Sequence, residues 1–177
     1  EARFDRATLS GSLTGIFLGF SNTEFAQVLG GSPAACSVYT ATGSASSISS
    51  GRLSYVLGLH GPCASYDTAC SAALAANHAG LRALELDECS DGIVAGVSLI
   101  LTPSFSVSFS IAGMTSSRGR SHTFDDRADG YARGEACGAV ALHQMREDRA
   151  LLGVHGSAVR QDGRSASLTA PNGQAQQ

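Results

Sequence analysis

Of the five cysteines in this chain, Cys70 stands in the setting best suited to chemistry, the stretch Tyr66-Asp67-Thr68-Ala69-Cys70-Ser71-Ala72-Ala73-Leu74. Gly61 and Pro62 form a turn pair before it, and the small-residue run that follows them reads as a strand. Ala72 to Leu86 carries the best helical pattern in the chain. Leu74, His78, Leu81 and Leu84 or Glu85 recur at helical spacing, and alanine fills most of the rest. Cys70 is therefore expected where a strand ends and a helix begins. The first turn of a helix has unpaired N–H groups and a partial positive charge. Both favour the thiolate, the nucleophilic form, over the thiol. The competing reading is a small buried residue, which is what most cysteines are.

The elements that must position this residue can be read on both sides of it. Glu1 to Ser12 is polar, helical or irregular, and Gly15 to Gly19 is a short apolar run that reads as a buried strand. Asn22 to Leu29 fits a short helix, broken by Gly30-Gly31-Ser32-Pro33. Tyr39 to Gly58 is rich in Ser, Ala and Gly, with weak helical support. Asp87 to Gly92 reads as a polar turn. Ile93 to Leu101 is the strongest strand candidate, ended by Pro103, and its unbroken apolar character predicts burial on both faces. Ser104 to Ile111 alternates Phe and Ser and fits either helix or strand. Ser116 to Arg133 reads as a charged loop, and Ala136 to Leu142 and Leu152 to Val159 read as further strands. Arg160 to Gln177 is polar without a period. Strands alternating with helices make the class α/β.

Bulk properties exclude several functions. The 177 residues hold 43% hydrophobic and 15% charged side chains, a globular composition, with a net charge of −3. All 12 basic residues other than histidine are arginine, and they form no basic stripe, so nucleic acid is not an expected partner. An odd number of cysteines without a CxxC pair argues against a disulfide framework and a zinc site, and fits a reducing, cytoplasmic setting. His60 and Cys63 have ligand-like spacing but lack a second pair. No apolar run approaches membrane-spanning length, so no membrane is expected as a partner; targeting sequence upstream of Glu1 is left open. A chain without lysine cannot carry a P-loop, and no dinucleotide fingerprint, GxSxG elbow or HExxH is present. Asp125, Asp126 and Asp129 lack EF-hand spacing and read as a loop held by Arg127 and Arg133.

Several stretches, in order, resemble a β-ketoacyl synthase, specifically the ketosynthase domain of a modular, type I polyketide synthase. Gly51-Arg52-Leu53-Ser54-Tyr55-Val56-Leu57-Gly58-Leu59 followed by Gly61-Pro62 is similar to the helix and turn before the nucleophile. Asp67-Thr68-Ala69-Cys70-Ser71 resembles the active-site signature, and Gly96-Val97-Ser98-Leu99-Ile100-Leu101 the next core strand. Ala112-Gly113-Met114, Thr123-Phe124-Asp125, Asp129-Gly130-Tyr131-Ala132-Arg133-Gly134-Glu135, Gln161-Asp162-Gly163-Arg164-Ser165 and Leu168-Thr169-Ala170-Pro171-Asn172-Gly173 complete the set. Ala72 and Ala73 stand where the family usually carries serines, Ala136 replaces a glycine, and Ala166-Ser167 replaces Asn-Gly.

The resemblance implies a thiolase-like fold of α-β-α-β-α layers. Residues 1–152 would form most of its N-terminal half without the first strand, and residues 153–177 the start of the C-terminal half. It implies that Cys70 accepts an acyl group from the phosphopantetheine arm of an acyl carrier protein. Decarboxylative condensation with a malonyl-type thioester would then extend a polyketide. No bound cofactor and no metal is implied. The family's two catalytic histidines and its lysine lie in motifs beyond Gln177; His60, His78 and His155 are not in those contexts. The 177 residues alone are therefore expected to be inactive. Arg133, Gly134 and Glu135 read as structural. The resemblance also implies a homodimer through the strand leading into Cys70, since Pro62 to Thr68 carries no Lys, Arg or Glu to blunt an edge. Two alternatives stay open: a ketosynthase-like domain that does not condense or is structural, and an unrelated cysteine-dependent acyl hydrolase.

Overall fold

The computed structural model describes residues 5–21, 24–144, 152–175 and 177. Its elements are α1 (Arg6–Leu9), β1 (Thr14–Gly19), α2 (Glu24–Gly30), α3 (Thr40–Ser44), α4 (Ser46–Leu57), β2 (Cys63–Tyr66), α5 (Ala72–Glu85), β3 (Asp91–Ser98), α6 (Ser104–Ile111) and β4 (Ala136–His143). The strands form one sheet in the order β2-β1-β3-β4. β1 runs parallel to both β2 and β3, and β4 closes the far edge antiparallel to β3.

The sheet is covered on both faces where β1 runs. Phe17 and Val94 point to the side of α5 and join Ala76, Ala83, Leu84 and Cys89 in one apolar cluster. Ile16 points to the other side and packs with Leu9 and Leu59, flanked by Leu57 and Ile93. All six residues of β1 are buried. Double burial therefore falls on β1 and not on the Ile93–Leu101 run. β3 begins at Asp91 and ends at Ser98, and its exposure alternates, with Leu99 and Leu101 lying beyond it and largely open. The reason is coverage: α5 packs on one face of β3, whereas α4 lies over β1 and β2 on the opposite face.

Helix α5 forms as its pattern predicts, but on a rotated face. Its buried residues are Ala72, Ala76, Gly80, Ala83 and Leu84, and Leu74 is 73% exposed. Small side chains let the helix lie close on the sheet, and that stripe, not the bulkier Leu-His-Leu one, is buried. Ser104–Ile111 resolves as a helix, with Phe105 and Phe109 one turn apart at 6.1 Å between ring centroids. The strand expected at Leu152 to Val159 does not form. Residues 152–159 are irregular, with Leu152, Val154 and Val159 exposed. An isolated strand leaves its backbone groups unpaired, and this segment lies against neither edge of the sheet.

Candidate active site

Cys70 lies in a single 3₁₀ turn, Ala69–Ser71, between β2 and α5. It is exposed, whereas Cys89 is the buried cysteine, so the reading of Cys70 as a small core residue fails. The turn is held by its own polar side chains. Asp67 Oδ1 accepts from the Ala69 N–H at 3.1 Å, and Ser71 Oγ donates to the Thr68 carbonyl at 2.9 Å. Ala69 has φ 53°, a left-handed backbone that costs a non-glycine residue of the order of 1 kcal/mol or more. The strain sits directly before the cysteine and turns the chain sharply from strand into helix.

The first turn of α5 approaches the sheet through two glycines. A Cβ on Gly19 would lie 2.5 Å from the Ala72 carbonyl group and from Ala73 Cα, and one on Gly96 would lie 2.9 Å from Ala73 Cβ. The carboxyl ends of β1 and β3 thus seat the helix that begins just after Cys70. Loops leaving the carboxyl ends of parallel strands gather ligand sites in α/β sheets. Here those loops bound two shallow clefts that share Phe20, one reaching Tyr66 and Asp67 and the other reaching Phe25, Leu99 and Leu101.

A buried ion pair ties this edge together. Glu24, with its side chain 2% exposed, accepts from the N–H groups of Leu101 at 2.6 Å and Thr102 at 2.7 Å, and pairs with Arg133 at 3.0 Å. The Thr102 N–H, helped by Arg133 and the Leu101 N–H, holds the Glu24 carboxyl below its ordinary value against the opposing effect of burial. Arg133 also donates to Ser106 Oγ at 2.6 Å and stacks over Phe109. Glu135 accepts from the Ile100 N–H at 2.7 Å. Arg133 and Glu135 therefore brace the loop after β3. Glu24 escaped the sequence reading; its signal was an acidic residue at the head of a short helix that follows a buried apolar strand.

The acidic loop is held differently from expectation. Arg127 engages Asp125 at 2.6 Å, keeping that carboxyl far below the usual range, but Arg133 is committed to Glu24. Arg118 takes the second place, at 3.2 Å from Asp129, which Ser116 also holds. Among the described residues no group of His, Cys, Asp and Glu could hold a metal ion, and no helix is long and apolar enough to cross a membrane. Three histidines are engaged away from Cys70: His78 Nδ1 with Ser157 Oγ at 2.8 Å, His143 with Asp91 at 2.5 Å, and His122 near Asp125.

Residues 1–148 match the family described as beta-ketoacyl synthase, N-terminal domain. The chain belongs to the β-ketoacyl synthase family. It is 42% identical over 174 residues to a phenolphthiocerol/phthiocerol polyketide synthase from Mycobacterium tuberculosis, covering 96% of this chain and 11% of that protein. It is likewise 42% identical over its whole length to polyketide synthase GfsB of Streptomyces halstedii, of which it spans 3%. The ketosynthase from module 6 of the bacillaene synthase of Bacillus subtilis 168 superposes with a TM-score of 0.85 at 33% identity, over 98% of this chain and 30% of its own. The fold is accordingly thiolase-like α/β, and the chain spans only a small part of the polyketide synthases it matches and under a third of the bacillaene ketosynthase.

Proposed function

We propose that Cys70 is the acyl acceptor of a chain-extending ketosynthase. Its thiolate attacks the carbonyl of an acyl group carried on the phosphopantetheine arm of an acyl carrier protein. A bond forms from Sγ to the carbonyl carbon, and the arm leaves as a thiol after taking up a proton. A malonyl-type thioester on a second carrier then loses CO₂, and the resulting enolate attacks the Cys70 thioester. The new carbon–carbon bond releases Sγ as thiolate and leaves a β-ketoacyl chain on the carrier. The groups that stabilise the decarboxylating unit are the two histidines that the family carries beyond the matched segment. Residues 1–152 would supply the nucleophile half and residues 153–177 the start of the other, a division supported by the family match ending at residue 148.

The observation that carries this reading is the exposed Cys70 on a strained turn between β2 and α5, at the carboxyl edge of the sheet in a member of this family. A cysteine hydrolase would need a histidine paired with Cys70; His78, His122 and His143 are engaged elsewhere, and neither the Gly-Pro context of His60 nor the Gly-Ser context of His155 supplies a partner motif. The homodimer belongs to the same proposal. β2 is a sheet edge with β1 as its only strand neighbour among the described residues, and Ala64 at its middle lets a second backbone approach. A reducing, cytoplasmic setting is consistent with five free cysteines.

The test uses a complete ketosynthase domain containing this segment, incubated with acyl carrier protein loaded with an octanoyl thioester. Intact-mass analysis is expected to find one acyl adduct, mapping to the Cys70 peptide and lost in C70A. An adduct that persists in C70A would refute the assignment.

A further inference from the structure

Glu24 joins three parts of the chain that are far apart in sequence. It heads α2, its carboxylate takes the Leu101 and Thr102 amides of the loop after β3, and Arg133 reaches it from the irregular segment leading to β4. One oxygen, Oε2, receives both backbone N–H groups, and the other, Oε1, receives the guanidinium. Gln27, one turn along α2, adds a second fastening by accepting from Ser104 Oγ at 2.6 Å and Thr102 Oγ1 at 3.1 Å. A charge this buried is retained only with full compensation, and the loop after β3 is where the compensation comes from.

The consequence lies at the cleft of about 180 Å³ beside this clamp. Phe20, Phe25, Val97, Leu99 and Leu101 give it an apolar lining, to which Ser44 and Ser49 add hydroxyl groups. Leu99 and Leu101 flank Ile100, whose N–H is bound by Glu135, so this side of the wall is held by Glu24 and Glu135. Phe20 is common to this cleft and to the one bounded by Asp67, the residue that braces the turn of Cys70.

We propose that Glu24 is a positioning residue for acyl transfer, its buried carboxylate holding the loop after β3 so that Leu99 and Leu101 wall a cleft that adjoins, through Phe20, the one bounded by Asp67 at the foot of the Cys70 turn. The proposal rests on the acyl-acceptor reading given above. It assigns Glu24 no contact with reacting atoms. Its role is to keep an apolar surface in place against which an acyl chain lies while its thioester meets Sγ.

The experiment compares the unaltered complete domain with E24A, E24D and E24Q, using carrier protein loaded with acetyl or octanoyl thioester. In E24A, kcat/KM for octanoyl transfer to Cys70 is expected to fall by about 10- to 100-fold, the loss that a displacement of about 1 Å brings. Acetyl transfer, which makes little use of the wall, falls less. Alkylation of Cys70 by iodoacetamide, a probe that needs no wall, stays within about twofold. E24Q keeps a carbonyl oxygen for the two amides and recovers most of the octanoyl rate, whereas E24D draws the acceptor back by one methylene and falls between. E24D decides the matter if E24A does not fold. Octanoyl and acetyl transfer falling equally, alkylation falling in parallel, or E24D matching the unaltered domain would each overturn the proposal. Failure of the unaltered domain to be acylated at all would instead refute the acyl-acceptor reading.

Discussion

Replacing Gly19 with alanine asks how tightly the end of β1 is coupled to the nucleophile. The added Cβ would sit 2.5 Å from the carbonyl carbon and oxygen of Ala72 and from Ala73 Cα. Non-bonded carbons rest about 3.5–4.0 Å apart, so β1 and the first turn of α5 must separate by about 1 Å. Both obstructing groups are backbone, so no rotamer change relieves them. Overpacking of this kind costs about 1–3 kcal/mol. The helix start that retreats is the one that carries Cys70 at its entrance, and a 1 Å misplacement at a reacting centre is worth about 100-fold in rate. G19A in the complete domain is therefore expected to lower the urea midpoint with an unchanged slope. It is also expected to slow Cys70 acylation, followed by intact mass, by about two orders of magnitude. An unchanged midpoint together with an acylation rate within about twofold of the unaltered protein would refute the coupling.

Iodoacetamide labelling with peptide mapping is expected to modify Cys70 ahead of Cys36, Cys63 and Cys137. Cys89 should stay unlabelled until the protein unfolds, because it is 3% exposed and burial pushes its thiol up. The depressed Glu24 carboxyl makes its stabilising contribution complete at neutral pH. That contribution is lost only as acidification passes the ordinary glutamate range and then the lowered folded value. E24Q should remove this part of the acid limb, and urea titrations from about pH 7 to about pH 3 that superpose for both proteins would contradict the linkage. A64E places a charge at the middle of β2 and is expected to weaken the dimer of the complete domain in sedimentation; unchanged association would mean that another surface joins the two copies.

Local pattern was enough for the elements nearest the nucleophile. The Gly61-Pro62 turn, the small-residue strand, Cys70 and the alanine-rich helix are contiguous, and each follows from propensity or period over a few residues. The ordered motifs from Gly51 to Gly173 likewise carried the family, since they need no knowledge of packing. What local pattern could not decide was which surface each element would hide. Leu74, His78 and Leu81 carry bulkier side chains than the alanines around them on α5. The helix nevertheless buries Ala72, Ala76, Gly80 and Ala83 together with Leu84, because its first turn lies against Gly19 and Gly96 and Gly80 lies against Phe17, Val94 and Leu142, where there is no room for larger side chains. Ile93 to Leu101 has the composition of a doubly covered strand, but β1 occupies that place between α4 and α5.

The chemistry divides in the same way. Sequence alone determined the nucleophile candidate, its position at a strand-to-helix junction and the family. A cysteine's setting is local, and family motifs are linear. Tertiary structure alone decided that Cys70 is exposed and Cys89 buried, that Arg133 serves Glu24 and not the aspartate loop, and that Leu152 to Val159 forms no strand. Each of these depends on what a distant segment supplies: a partner strand, a covering helix, or a pair of amides for a carboxylate 77 and 78 residues away. Burial and hydrogen bonding across such separations are properties of the assembled sheet and its helices, and no window of the sequence contains them.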